Sequence, residues 1–237
     1  MGNTKALVVR FRAQWIPVLA EWLSPEPLER AEYRSVQIEP GGAGGVDLVA
    51  SDAHSMLWIH DAQGEANEVF YLDAPEPLVR VCRELQAPPL IDVNGIPPSI
   101  TMPSWTRPGL VLISPLAWEE KEPERALILV QPLEQPPAAN VVPVRSTGFG
   151  LYAVQQDINR HRQQPLAWRT VVERPSKETS SLTLNPTFLG RLGSVGALFP
   201  SGGWRMTTTG SDGPVIFSSP LTGDGTLAKA LVMPMRT

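Results

Sequence analysis

Proline punctuates this sequence too densely for any long regular element to run through it. Its 25 prolines fall at the edges of the periodic runs. Each fixes φ and removes a backbone donor, so each ends or bends the segment before it. The chain must therefore be assembled from many short elements joined by stiff turns, which excludes a helical bundle. Its 237 residues, 42% of them hydrophobic, are enough for two globular units. A formal net charge of −4 gives no overall pull toward nucleic acid, so any such contact needs a local basic face. Cys82 is the single cysteine, which excludes an intrachain disulfide and a thiolate metal cluster and fits a reducing cytoplasm. No apolar run approaches the roughly 20 residues of a membrane span. The start of the sequence lacks a secretory pattern, because only Ala6 to Val9 separate Lys5 from Arg10 and Arg12. A cytoplasmic protein with no membrane partner is expected.

The first half alternates strand and helix signals. Lys5 to Arg10 reads as a strand. Trp15, Ile16, Leu19, Trp22 and Leu23 recur at helical spacing from Ala13 to Leu23, with Pro17 near the first turn. Tyr33 to Glu39 reads as a strand with Val36 and Ile38 on one face and Ser35 and Gln37 on the other. Gly41 to Gly45 makes a turn into a strand at Val46 to Ala50, and Met56 to His60 and Glu68 to Leu72 add two more. Pro75 to Gln86 reads as a helix with Leu78, Val81, Cys82 and Leu85 on one stripe. Strands are expected at Leu90 to Asn94, Ser99 to Met102, Leu110 to Ile113 and Ala126 to Val130.

Gln131 to Asn140 carries Pro132, Pro136 and Pro137 with few apolar anchors, the composition of a semi-rigid linker. The boundaries that follow are a first domain over 1–131, a linker over 132–140 and a second domain over 141–237. In the second, Val141 to Arg145 and Phe149 to Val154 read as extended, and Gln155 to Arg162 as a short helix or turn. Trp168 to Glu173 and Ser181 to Leu184 read as strands. Asn185-Pro186 supplies an N-cap and a first-turn proline for a helix through about Val195. Trp204 to Thr208, Pro214 to Ser218 and Leu227 to Met233 close the unit as strands. Both halves place a proline-initiated helix after a strand and then several strands, which suggests an internal repeat. An α+β fold follows.

No catalytic constellation is present. His54, His60 and His161 match no zinc spacing, and Gly41 to Gly45 lacks the following helix that a phosphate loop needs. Glu119-Glu120-Lys121-Glu122 reads as a solvated loop. The expectation is a non-enzyme with neither cofactor nor metal.

Ala230 to Met233 is an apolar run of strand length, and Pro234, flanked by Met233 and Met235, stops it from continuing as a central strand. Val232-Met233-Pro234-Met235-Arg236 resembles the C-terminus of the bacterial DNA polymerase III beta subunit, the sliding clamp. Val49-Ala50-Ser51-Asp52-Ala53-His54-Ser55-Met56-Leu57 resembles the Ala-Thr-Asp-Gly-His-Arg-Leu signature of that family's middle domain, with Ala53 for its Gly and Ser55 for its Arg. Leu182 to Gly193 is similar to the Asn-initiated helix of its third domain, followed in order by Trp204-Arg205-Met206. Pro123-Glu124-Arg125-Ala126-Leu127 is a faint echo of its Pro-Asp-Tyr-Arg-Arg segment, and Val141 to Arg174 shows no amphipathic first helix. The likeness covers roughly 7–115 and 175–237 by order and spacing.

The resemblance implies two DNA-clamp-type domains, each a mainly antiparallel sheet with helices on one face, equivalent to the middle and C-terminal clamp domains. A two-domain chain would need three copies to close a six-domain ring. It implies a processivity factor that encircles double-stranded DNA without reading sequence. Candidates for its basic, helix-layer face are Arg10, Arg12, Arg80, Arg83, Arg160, Arg162 and Arg191. It also implies a groove for linear peptide motifs of polymerases, walled by Leu231, Met233, Pro234, Met235 and Arg236. The alternative reading is a clamp-like interaction module that forms no ring, carried by a prophage or mobile element.

Overall fold

The computed structural model of the protein describes residues 9–25, 33–84, 109–116, 125–132, 152–157, 166–179, 182–199 and 203–235. Strand β1 (Val9–Arg12) leads through a tight turn into α1 (Trp15–Ala20), whose Trp15, Ile16, Pro17, Val18 and Leu19 are all buried. Six residues cannot hold a helix alone, so tertiary burial supports this one. Strands β2 (Ser35–Pro40), β3 (Val46–Ser51) and β4 (Ser55–Asp61) form a meander. Gly45 turns β2 into β3 at φ +72, where an added Cβ would stand 2.6 Å from the Asp61 carbonyl oxygen. The two-residue β5 (Glu65–Ala66) and β6 (Phe70–Asp73) precede α2 (Glu76–Glu84). Then come β7 (Gly109–Leu116), β8 (Arg125–Pro132), β9 (Tyr152–Asp157) and the single turn α3 (Trp168–Val172). Helix α4 (Pro186–Gly196) and strands β10 (Arg205–Thr208), β11 (Val215–Ser218) and β12 (Leu227–Val232) complete the described chain.

The strands form two antiparallel sheets. One has five strands in the order β5-β1-β7-β8-β9, and the other has seven in the order β10-β11-β12-β4-β3-β2-β6. The larger sheet joins the two halves of the sequence, because β12 pairs with β4, Ala230 opposite Leu57 and Val232 opposite Ser55. The smaller also crosses, through β9 on β8. The expected boundary at 132–140 begins at Pro132, the end of β8, and 133–140 lie outside the described residues.

Period-two alternation assigns the faces of the larger sheet. Val36, Ile38, Leu48, Ala50, Leu57, Ile59, Ala230 and Val232 point into the main core, where they meet α1, α2 and α4. Each fully buried Leu or Ile there stabilises the fold by about 1.5–3 kcal/mol. The helix layer thus covers one face, as the clamp-type reading expects. On the opposite face Val49, Met56, Ile216 and Leu231 form a second, smaller cluster with Trp168 and Val172 of α3. Gln37, on that second face, is therefore buried rather than solvated.

Three local expectations are corrected. Trp168 to Glu173 is a helical turn, not a strand. Trp168 and Val172 lie four apart on its buried side, a helical stripe that a short apolar run does not distinguish from alternation. Gln155 to Asp157 continue β9 rather than opening a helix, and 158–162 lie outside the described residues. Leu182 to Leu184 join no ladder: Leu182 and Leu184 pack on the main core, and the Thr183 carbonyl accepts from Met235 N at 2.8 Å. The strands expected at Leu90 to Asn94 and Ser99 to Met102 fall outside the described residues.

Candidate functional site

A groove of about 290 Å³ opens where the two halves share the larger sheet. Its floor is the outer face of that sheet, at Met56 and Leu231, which oppose each other across β4 and β12. One wall is the Ala53–His54–Ser55 turn with Met233, and the other is Leu166 to Val171 of the α3 segment. Tyr33 and Pro214 also line it. His54 is the only ionisable side chain besides Tyr33 in a lining that is otherwise apolar or hydroxylated, so the groove suits uncharged, apolar side chains.

The β3–β4 turn is built around one carboxylate. Asp52 Oδ1 accepts from His54 N at 3.0 Å, Ser55 N at 2.7 Å and Ser55 Oγ at 2.9 Å. Its Oδ2 accepts from Arg191 Nη1 at 2.7 Å, which ties α4 to the turn. Burial alone would raise the Asp52 pKa, but the hydrogen bonds from Arg191, Ser55 and His54 outweigh it and hold the carboxyl below its ordinary value. Ala53, at φ +72, is the one non-glycine residue with positive φ among the described residues. This left-handed backbone is unfavourable for a residue with a Cβ, and Ala53 itself lines the groove.

After β12 the backbone leaves the core. Met233 N donates to the His54 carbonyl at 3.0 Å, so the tail is pinned to the same turn. Leu231 is 3% exposed and belongs to the floor, whereas Met233 and Met235 are 41% and 53% exposed. Of the residues expected to wall a groove, Leu231 and Met233 line it. Pro234 and Met235 do not line it, and Arg236 lies outside the described residues. Tyr33, Met56, Leu166 and Val171 were not foreseen. The Asp52 turn stood out in the sequence as a motif. The α3 segment carried a fainter signal, the aromatic–arginine pair Trp168-Arg169, whereas the tract around Arg125 became strand β8.

The seven arginines separate into distinct environments. Arg12 forms an ion pair with the fully buried Asp61 at 2.9 Å and a second with Asp224 at 2.9 Å, and its Nη2 also bonds Thr226. Arg191 is engaged by Asp52 and lies over the Trp22 and Phe188 rings. Both charges are compensated by carboxylates within the protein. Arg10 pairs with Glu65 at the surface, 3.1 Å apart. Arg80 and Arg83 are exposed on α2, one helical turn apart. Arg160 and Arg162 lie outside the described residues.

Among the described residues no cluster of His, Cys, Asp and Glu could hold a metal ion. Cys82 is buried in the main core, which pushes its thiol up to about 12 and leaves it unreactive. No described helix is long and apolar enough to cross a membrane.

Two antiparallel sheets with a helix layer on one face, joined between halves by a shared ladder, define the fold of DNA sliding clamps. The particular likeness is to the DNA polymerase III beta subunit of bacteria. Over 100% of this chain the structure is similar to that of the Borrelia burgdorferi beta subunit, solved in complex with a natural product, at 9% sequence identity and a TM-score of 0.55. It is similar over the same span to the Pseudomonas aeruginosa clamp bound to griselimycin, at 12% identity and a TM-score of 0.51. The chain spans 66% and 67% of the length of those two proteins. No protein-family model and no curated protein matches it.

Proposed function

We propose that the chain is a sliding-clamp-like tethering factor, a non-enzyme that holds partner proteins through linear peptides seated in the groove and that encircles DNA as a homo-oligomer. The observation that carries this reading is the groove. It is apolar, it is assembled from both halves across the β4–β12 ladder, and Met233, the first residue of the Met-Pro-Met tail, lines it. An extended peptide with aliphatic or aromatic anchors fits that chemistry. Three copies of a two-unit chain would complete a six-unit ring, with the helix layer and Arg80 and Arg83 facing phosphates.

A fluorescein-labelled pentapeptide ending in Leu-Phe tests the groove. Fluorescence anisotropy should report saturable binding by the full chain and its loss when Met233 to Thr237 are deleted. Equal binding by the truncated chain would remove the assignment. Replacing Arg80 and Arg83 by Glu should abolish salt-dependent binding of duplex DNA. A second reading, a peptide-binding module that forms no ring, is favoured by the internal compensation of Arg12 and Arg191 and by the net charge of −4. Solution mass separates the two: a concentration-independent trimer supports the ring and a monomer supports the module.

A further inference from the structure

The groove has one wall that is not part of any sheet. Helix α3 has five residues, too few to persist without outside support, yet Leu166, Ala167, Trp168, Thr170 and Val171 form a side of the groove. Besides the apolar cluster that takes Trp168 and Val172, a set of buried polar groups holds this segment to the sheet. Three side chains on the outer face of the larger sheet, Gln37, Glu39 and Asp47, are 1%, 7% and 3% exposed. Gln37 Oε1 accepts from Leu166 N at 2.8 Å. Glu39 Oε1 accepts from the Trp168 indole N–H at 2.5 Å and from Arg169 Nη1 at 2.7 Å. Arg169 Nη2 also donates to Asp47 Oδ2 at 3.2 Å, and Asp47 Oδ1 is shared with His60 Nδ1 at 2.9 Å. The Trp168 ring stacks on Trp58 at 5.2 Å, with Lys229 Nζ on the same ring of Trp58 and the Arg169 guanidinium over Trp168.

We infer that Glu39 and Arg169 are positioning residues for the peptide groove, a buried latch that docks the α3 wall onto the sheet. Neither lines the groove, so neither touches a guest. A buried carboxylate on a strand face is expensive unless paired; here its charged partner and its indole partner both come from the α3 segment, and its own strand adds only Gln37 Nε2 at 3.4 Å. The sheet itself does not need them, since its ladders are complete without Glu39. Their chemistry makes sense as a fastening for α3. Breaking the latch lowers the docked fraction of the wall, and apparent affinity falls in proportion to that fraction.

This inference rests on the groove reading, and the test separates the two. Hydrogen exchange of the full chain, without peptide, is measured for wild type, Arg169→Ala, Arg169→Lys and Glu39→Gln. The latch predicts faster exchange confined to 166–172 in Arg169→Ala and Glu39→Gln, with the β3, β4 and β12 amides unchanged and partial recovery in Arg169→Lys. The Leu-Phe pentapeptide should bind those two variants about tenfold more weakly, the effect of losing one charge-assisted hydrogen bond. Unchanged exchange over 166–172 in Arg169→Ala overturns the latch, as does unchanged peptide affinity beside a wild type that binds. If wild type itself fails to bind the peptide, the groove reading falls while the exchange data still decide whether the latch exists.

Discussion

At the scale of single residues, the β3–β4 turn shows how a departure from a family pattern registers as strain. Ala53 occupies the position where the clamp signature has Gly, and the backbone there is left-handed at φ +72. Holding an L-residue in that region costs about 1–2 kcal/mol, part of which Gly returns as extra freedom in the unfolded chain. Ala53→Gly should therefore raise stability by about 0.5–1 kcal/mol, read from the midpoint of urea unfolding. A loss of stability would mean that the Ala53 methyl contributes packing that outweighs its strain. The turn was legible in the sequence because Asp52 followed by small residues before an apolar run has a local cause. The side-chain partner of Asp52 was not, since Arg191 lies 139 positions away and nothing in its neighbourhood announces the contact. For the same reason Arg12 and Arg191 read as surface cations until their carboxylate partners were in view.

At the scale of elements, local signals served best where the chain stops and starts. Asn185-Pro186 announced α4, and the Asn185 side chain does accept from Thr187 N at 3.0 Å. Asn185→Ala should cost about 1 kcal/mol, measured by the shift in urea midpoint, because one first-turn donor loses its partner. A shift indistinguishable from zero would show the cap to be replaced by water. The α3 segment went the other way. Its five residues are too few to separate a two-residue from a 3.6-residue period, and tertiary burial against Trp58 decided the outcome. Alternation put Ser35 and Gln37 on one face of β2 and Val36 and Ile38 on the other. Alternation along a strand says which side chains share a face but not what covers them, and α3 arrives from 129 positions away.

At the scale of the whole molecule, the two halves are bound by backbone ladders and by several ion pairs, among them a knot around Arg12. Arg12 of β1 reaches Asp61 at the end of β4 and also Asp224 and Thr226 in the turn before β12. Asp61 is fully buried and also accepts from Trp15 Nε1 and the Arg12 amide, both at 2.9 Å. Arg12→Met should cost about 3 kcal/mol, the lower end for a broken buried pair, because those two donors remain. Burial opposes ionisation of Asp224, yet hydrogen bonds from Thr222 and Thr226 and the Arg12 charge hold its pKa at about 2. A depressed carboxylate adds stability above its unfolded value, near pH 3.9, and that contribution is lost as pH falls toward 2. In Arg12→Met the acid limb of the stability curve should be shallower, and denaturation midpoints at several pH values would reveal it. An unaltered limb would assign the shift to the threonines alone.

The β4–β12 ladder has one more implication. Because β4 and β12, one from each half, form the floor of the groove and are stitched by consecutive amide–carbonyl bonds, the width of that floor is fixed by strand spacing. Residues inserted in the sequence between β8 and β9 would leave that width unchanged, and each doubling of a loop adds only about 0.6 kcal/mol of closure entropy. The gauge of the floor is set by hydrogen bonds, whatever the length of chain elsewhere.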